Sequence, residues 1–242
     1  MYISQSLTFI GRGSCFNVDY GCCSAYFKNY ERNKMFLIDC GGDVFRKIIK
    51  NKLLDDVSEL NIFITHTHSD HIGSLGSLIE YCYHILKIKP TIYFPNHKSI
   101  KRYLTSVKIL PYMYNLNENE YLGFDFQIVA FPVKHGEYKE CFGYYITDYK
   151  RNIYYSGDCN DVDLDQDLTG TGITIESCDE IYQDLTHLDY KNNPHMNINK
   201  YLDIVPRELY PRTIGIHIDS KETENLILAN GMKLPSLLVR ED

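Results

Sequence analysis

The run Phe63-Ile64-Thr65-His66-Thr67-His68-Ser69-Asp70-His71-Ile72-Gly73-Ser74-Leu75 constrains this chain more than any other stretch. Residues 61–64 read as the end of a buried strand and the residues after Gly73 as helix, so the short loop between them carries three histidines and an aspartate. His66 and His68 alternate on extended backbone and leave it on the same side, while Asp70 and His71 reach a second position at the turn. Imidazole and carboxylate are the donors that suit zinc, and one such loop can serve two metals. The alternative is a polar loop with scattered histidines. Three of the chain's nine histidines within six residues, with an aspartate among them, argue against it. Manganese, iron and nickel take similar donor sets, so the donors leave the metal's identity open.

A chain of 242 residues can bury one substantial core, and no Pro/Gly/Ser-rich linker, charge block or internal repeat divides it. A single domain over 1–242 is the expectation. Hydrophobic residues make up 44% and charged residues 24%, which suits an ordered soluble protein. The first residues lack a basic segment followed by an apolar one, and no run approaches the ~20 apolar residues of a membrane span. A cytoplasmic protein without membrane association is therefore expected. Eight cysteines without a C-x-x-C pair, in a chain that needs no staples, read as free and mostly buried thiols. The balance of 25 basic against 32 acidic residues, net −7, disfavours broad binding to a nucleic-acid backbone, and no stable nucleic-acid partner is expected.

Along the chain, residues 6–11 read as a strand, 22–28 and 35–39 as a hairpin, and 44–54 as a helix. After the histidine loop come a helix to about 86, a strand at 91–94 and a helix at 98–106. The segment 111–121 reads as a surface excursion whose tyrosines, Tyr112 and Tyr114, either pack, stack on a base or fill a subunit contact. Strands follow at 124–133, 142–147, 152–155, 181–185, 213–218 and 234–239, with helices at 197–204 and 222–230. His135, Asp158 and His217 all fall at or just beyond strand ends, as His66, His68, Asp70 and His71 do. Layered α/β scaffolds converge distant segments on one site in this way.

The order His-x-His-x-Asp-His, then His135, Asp158 and His217, resembles the metallo-β-lactamase fold superfamily over nearly the whole chain. The resemblance implies an α/β fold of the αββα sandwich type, two packed mixed sheets flanked by helices. It also implies two zinc ions, or manganese or another divalent metal, with His66, His68 and His135 on one, Asp70, His71 and His217 on the other, and Asp158 bridging. A zinc-bound water has its pKa lowered to about 7, which makes a nucleophile available near neutral pH. Asp70 is thereby both a ligand and a catalytic candidate.

Phe131-Pro132-Val133-Lys134-His135, Cys141-Phe142-Gly143-Tyr144-Tyr145 and Ile153-Tyr154-Tyr155-Ser156-Gly157-Asp158 look like the phosphodiesterase branch that includes RNase Z. Glyoxalases and lactonases usually carry a His-x-x-Gly-His-x-x-Gly-type segment, which Lys134-His135-Gly136-Glu137 lacks. Class B β-lactamases commonly place cysteine in the second metal site, where this chain has Asp70-His71. The resemblance also gives His195, in Pro194-His195-Met196-Asn197, the role of the histidine that protonates the leaving oxygen, a task suited to a pKa near working pH. His187 is its competitor, and a capping or solvent role is the plain alternative. Asp184 is a candidate for orienting such a histidine. His84 and His97 lie in helical segments away from any motif and are read as surface or packing residues.

RNase Z enzymes usually grip tRNA with an arm inserted between the third histidine and the bridging aspartate. Here only a hairpin separates His135 from Asp158. The expected substrate is therefore small, a 3′,5′-cyclic mononucleotide opened to a linear nucleoside monophosphate. Compact RNase Z-like phosphodiesterases that degrade cyclic nucleotides, phage anti-Pycsar proteins among them, are the likeness nearest in kind, with the host cytoplasm as location if the chain is phage-encoded. Such proteins are often homodimers, which places Tyr112 and Tyr114 as residues acting across a subunit boundary. A tRNA 3′-endonuclease and a carbonyl-substrate hydrolase of the same fold are the alternatives.

Overall fold

Apolar runs without polar alternation, such as Met35–Ile38 and Leu60–Phe63, need cover on both faces, the pattern of interior parallel strands. In the computed structural model they are the centre of a sheet. The structure describes residues 6–238 apart from 119, 124, 125, 139 and 149. The expected strand starts at Phe124 and the final strand's end at Val239 lie outside the described residues. The chain divides into two compact units, an N-terminal one over 6–118 with 236–238 and a C-terminal one over 120–235.

The N-terminal unit begins with β1 (Thr8–Gly11), β2 (Ser24–Asn29) and β3 (Lys34–Ile38), the last two forming the expected antiparallel hairpin. From β3 onward the chain alternates: α1 (Val44–Lys50), β4 (Glu59–Phe63), α2 (Ser69–Ile72), α3 (Leu75–Tyr81), β5 (Thr91–Tyr93), α4 (His97–Ser106) and β6 (Asn115–Asn117). β3, β4, β5 and β6 pair in parallel through these crossovers. Phe36, Leu37, Leu60 and Ile62 on the central strands and Ile48, Leu75, Leu78 and Ile79 on the helices have no exposed surface. Burial of each such side chain contributes about 1.5–3 kcal/mol. Cross-strand partners Phe27 and Phe36 stack at 4.8 Å, and partners Phe63 and Tyr93 at 4.5 Å, which supports the β2–β3 and β4–β5 registers.

The C-terminal unit contains β7 (Tyr121–Leu122), β8 (Gln127–Pro132), β9 (Phe142–Thr147), β10 (Asn152–Tyr155), β11 (Glu180–Asp184), α5 (Ile198–Ile204), β12 (Thr213–Ile216) and α6 (Lys221–Ala229). Its sheet has the order β12-β11-β10-β9-β8-β7, parallel at the β10-β11-β12 end and antiparallel at the other. Helix α5 starts where Asn197 accepts hydrogen bonds from the backbone of Asn199 and Lys200, and α6 where Ser220 caps Thr223. The short β13 (Ser236–Leu237) then joins β1 in the N-terminal sheet, giving the order β13-β1-β2-β3-β4-β5-β6. The two mixed sheets with their helices make the α/β class expected from the sequence.

Two readings need correction. The segment 111–121 is more than a surface excursion, because Asn115–Asn117 adds β6 to the sheet edge. Backbone pairing alone makes this strand, so its polar side chains carry no signal for it. Tyr114 is buried in its own unit at 7% exposure and is not available to a second subunit, whereas Tyr112 is half-exposed against Tyr83. The helix expected only after Gly73 also begins earlier, as the single turn α2 that carries Asp70 and His71. All eight cysteines are free, six of them buried.

Candidate metal centre

Three strands end in backbone that turns sharply to present a polar group. Asp39 follows β3 with φ 62°, Gly157 follows β10 with φ 59°, and His217 follows β12 with φ 54°. For a side chain larger than glycine's this left-handed conformation is strained by roughly 1–2 kcal/mol. Such strain persists only where surrounding contacts over-determine it, and it gathers at functional sites.

In the N-terminal unit the contacts centre on Asp39, whose carboxylate has no exposed surface. The Thr65 amide donates to Asp39 Oδ1 at 2.8 Å, and the Thr65 hydroxyl donates to Oδ2 at 2.8 Å. His71 Nδ1–H donates to the same Oδ2 at 2.8 Å. Burial pushes the Asp39 carboxyl's pKa up, against the pull of His71 and Thr65. The His66 ring lies 4.1 Å from that of His71, with its Nδ1 3.1 Å from the Thr65 hydroxyl and its Nε2 2.9 Å from His68 Nδ1. Asp70 Oδ2 stands 3.3 Å from His71 Nε2. The four residues of the histidine loop thus converge, and Asp39 and Thr65 set ring orientation from behind. Gly41 permits this approach: a Cβ there would overlap the Asp70 carbonyl oxygen.

In the C-terminal unit His135, at the exit of β8, donates from Nδ1 to the Pro194 carbonyl at 3.0 Å, so its lone pair sits on Nε2. Burial lowers its pKa and favours that neutral ring. Asp158 Oδ2 lies 3.8 Å from His135 Nε2 and 3.4 Å from His217 Nε2. His195 Nδ1 donates to Asp184 Oδ2 at 2.7 Å, and its ring stacks 4.7 Å from His217 and stands 5.1 Å from His135. Asp184 Oδ2 also accepts from the Cys159 amide at 3.0 Å, and Oδ1 lies 3.7 Å from His217 Nδ1. His135, Asp158 and His195 form one group able to hold a metal ion, and Asp184, His195 and His217 another.

His187 is engaged elsewhere, with Nδ1 3.0 Å from Thr223 Oγ1, 3.1 Å from Ser220 Oγ and 3.2 Å from Asp219 Oδ2. His84 is exposed, and His97 pairs with Glu118 at 2.8 Å. The seven expected ligands therefore fall into two sets, His66, His68, Asp70 and His71 in one unit and His135, Asp158 and His217 in the other. His195 sits with the second set. Buried imidazoles whose Nδ1–H groups are tied back, beside carboxylates, are a donor set that suits a divalent cation.

Sequence reasoning missed Asp39, Thr65, the Pro194 carbonyl and Tyr138, whose ring stacks on His135 at 5.3 Å. Asp39 carried a usable signal, since an acid ending the apolar run Met35–Ile38 would be buried and in need of partners. Thr65 and the Pro194 carbonyl are defined by contacts between segments distant in sequence, and Tyr138 by the tight local turn after His135.

A family model described as a β-lactamase superfamily domain matches residues 34–218. Ribonuclease Z of Methanococcus maripaludis is 34% identical over 79 residues, 31% of this chain and 24% of that protein. The matched stretch thus spans about a quarter of the curated relative's length. The solved structure of the metallo-β-lactamase fold protein YhfI from Bacillus subtilis superposes with a TM-score of 0.69 at 15% identity, covering 97% of this chain and 95% of that one. A diphosphatase from the PhnP family gives a TM-score of 0.66 at 19% identity, covering 96% and 95%. At these identities the structures establish the fold.

Proposed function

This chain belongs to the metallo-β-lactamase superfamily, and from that premise we propose that it is a metal-dependent phosphodiesterase of the RNase Z-like branch, opening small 3′,5′-cyclic nucleotides to linear nucleoside monophosphates. In this reading His66, His68 and His135 would hold one divalent cation, zinc or manganese, and Asp70, His71 and His217 a second, with Asp158 between them. When bound, the cations supply positive charge that polarises the phosphoryl group and eases ionisation of water near neutral pH.

The observation that carries the substrate class is the segment between His135 and Asp158. Among its described residues it holds β9 and β10 in register, with Asp148 Oδ1 accepting from the amides of Lys150 and Arg151. A hairpin this tight has no arm to grip tRNA, and the net charge of −7 offers little to an extended polyanion. His195 supports the chemistry. With Nδ1–H given to Asp184, Nε2 is the atom that delivers a proton to the ribose oxygen as its bond to phosphorus breaks and the water oxygen takes its place. Asp184 holds the ring and offsets the charge of its protonated form.

A homodimer with Tyr112 at the contact belongs to the same proposal, and sedimentation of the wild type beside Tyr112→Ala tests it. No helix among the described residues is long and apolar enough to cross a membrane. The name of the M. maripaludis relative favours tRNA 3′-processing as the second reading. A turnover panel with metal-loaded protein decides between them, using cyclic mononucleotides, cyclic dinucleotides, precursor tRNA, a lactone and a β-lactam. Hydrolysis of cyclic mononucleotides, abolished by chelation and restored by zinc or manganese, is expected. Efficient cleavage of precursor tRNA without cyclic mononucleotide turnover overturns the proposal.

A further inference from the structure

A cavity of about 660 Å³ opens in the C-terminal unit, lined by Gly136, Glu137, Tyr138, Asn160, Asn192 and Pro194. Its walls are the immediate neighbours of two site residues. Gly136, Glu137 and Tyr138 follow His135, and Pro194 precedes His195 while its carbonyl holds the His135 ring. The Tyr138 ring lies over His135 with a 26° interplanar angle and is 56% exposed. Anything bound at His135 and His195 therefore has room for a bulky substituent here.

The chemistry of the lining is selective. An aromatic ring supplies a stacking platform, and stacking on such a platform is tolerant of base identity. Among the described lining residues the polar side chains besides Tyr138 are a carboxylate and two carboxamides. The Asn160 side chain gives one Nδ2–H to the Asn193 carbonyl at 2.9 Å, and its Oδ1 is an acceptor in the same lining as the Glu137 carboxylate. Two lysines flanking the lining are engaged. Lys134 Nζ pairs with Asp161 at 2.5 Å, and Lys200 Nζ donates to the Asn160 carbonyl at 2.8 Å. A second phosphate would meet negative charge, whereas a flat, uncharged ring bearing N–H donors meets acceptors. Backbone at Gly136, with φ 57°, and at Asn192, with φ 64°, holds the rim in left-handed turns, and a Cβ at Gly136 would come within 3.3 Å of Pro194 Cβ.

We infer that this cavity is the nucleobase subsite, taking bases that carry an exocyclic amine, guanine, adenine or cytosine, stacked on Tyr138. The inference deepens the phosphodiesterase reading and rests on it for the substrate, yet it can be tested without turnover. Guanosine, which has no phosphate, is titrated into ¹⁵N-labelled protein. Resonances of Gly136, Asn160 and Asn192 are expected to shift in the wild type and in Tyr138→Phe. Tyr138→Ala is expected to weaken guanosine binding about tenfold, the factor one base–aromatic stack supplies. Uridine, lacking the amine, is expected to bind several-fold more weakly than guanosine. In steady-state assays Tyr138→Ala raises KM for a cyclic nucleotide about tenfold more than for the base-free methyl riboside 3′,5′-cyclic phosphate. Equal losses on the two substrates would mean that Tyr138 acts through His135, and would overturn the subsite. So would an absence of shifts at the three positions, or uridine binding as well as guanosine. Guanosine shifts without any cyclic nucleotide turnover leave the subsite standing and sink the phosphodiesterase reading instead.

Discussion

Asp184 Oδ2 and His195 Nδ1 stand 2.7 Å apart, with the aspartate wholly buried and the histidine ring reaching from it toward His217 and His135. The Cys159 amide steadies the same oxygen, and the Asp184 amide donates to Ser156 Oγ at 2.9 Å. The carboxylate is therefore fixed before the histidine meets it, so the imidazole has one orientation and one tautomer.

Replacing Asp184 with asparagine keeps the shape but removes the charge and lets the ring flip. Turnover of a cyclic nucleotide is expected to fall about 10–100-fold, chiefly in kcat, and His195→Ala to lower it by about 10²–10⁴. If the double variant falls no further than His195→Ala alone in steady-state assays, the two residues act as a unit.

Asp39 is the corresponding hub of the histidine loop. Asp39→Ala strands the Thr65 amide and His71 Nδ1 in the interior, and a loss of about 3–5 kcal/mol is expected in urea denaturation. Zinc affinity of the folded variant, measured by competition with a chelating dye, is expected to fall about 10–100-fold.

Adjacent glycines separate sterics from flexibility. A Cβ at Gly41 overlaps the Asp70 carbonyl oxygen, whereas a Cβ at Gly42 meets nothing within 4 Å. Gly41→Ala is expected to destabilise by about 2 kcal/mol or more and weaken metal binding, and Gly42→Ala to stay within about 1 kcal/mol of wild type. Thermal melts with and without zinc distinguish the two.

Burial pushes the thiols of Cys40, Cys82, Cys159 and Cys178 up to about 12, from 9.0 for an unburied thiol. Above pH 9 the unfolded chain releases these protons while the folded chain keeps them, so the folded state binds more protons and stability falls as pH rises. Each such thiol contributes a slope of about 1.4 kcal/mol per pH unit between those values. Urea midpoints between pH 8 and 10.5 are expected to decline accordingly. Iodoacetamide at pH 8 is expected to label exposed Cys15 first, and the six buried thiols only on unfolding.

Much of this molecule was written in local pattern. The histidine loop, the strand-end positions of His135, Asp158 and His217, and strands such as Phe142–Thr147 and Asn152–Tyr155 follow from hydrophobic runs and from residue types that few environments tolerate. Those signals are carried by side chains neighbouring one another in sequence. The partners of the site residues are not. Asp39 meets His71 across 32 positions and His135 meets the Pro194 carbonyl across 59, contacts that exist only once sheet register brings the strand ends together. The edge strand Asn115–Asn117 was hidden for a related reason, because backbone pairing made it and its side chains gave no sign. Which donors are present, and in what order, is legible from residue identities and spacing alone. Tertiary structure decided which nitrogen of His71, His135 and His195 is tied back, because tautomer and ring angle depend on a carboxylate or carbonyl supplied from elsewhere in the chain.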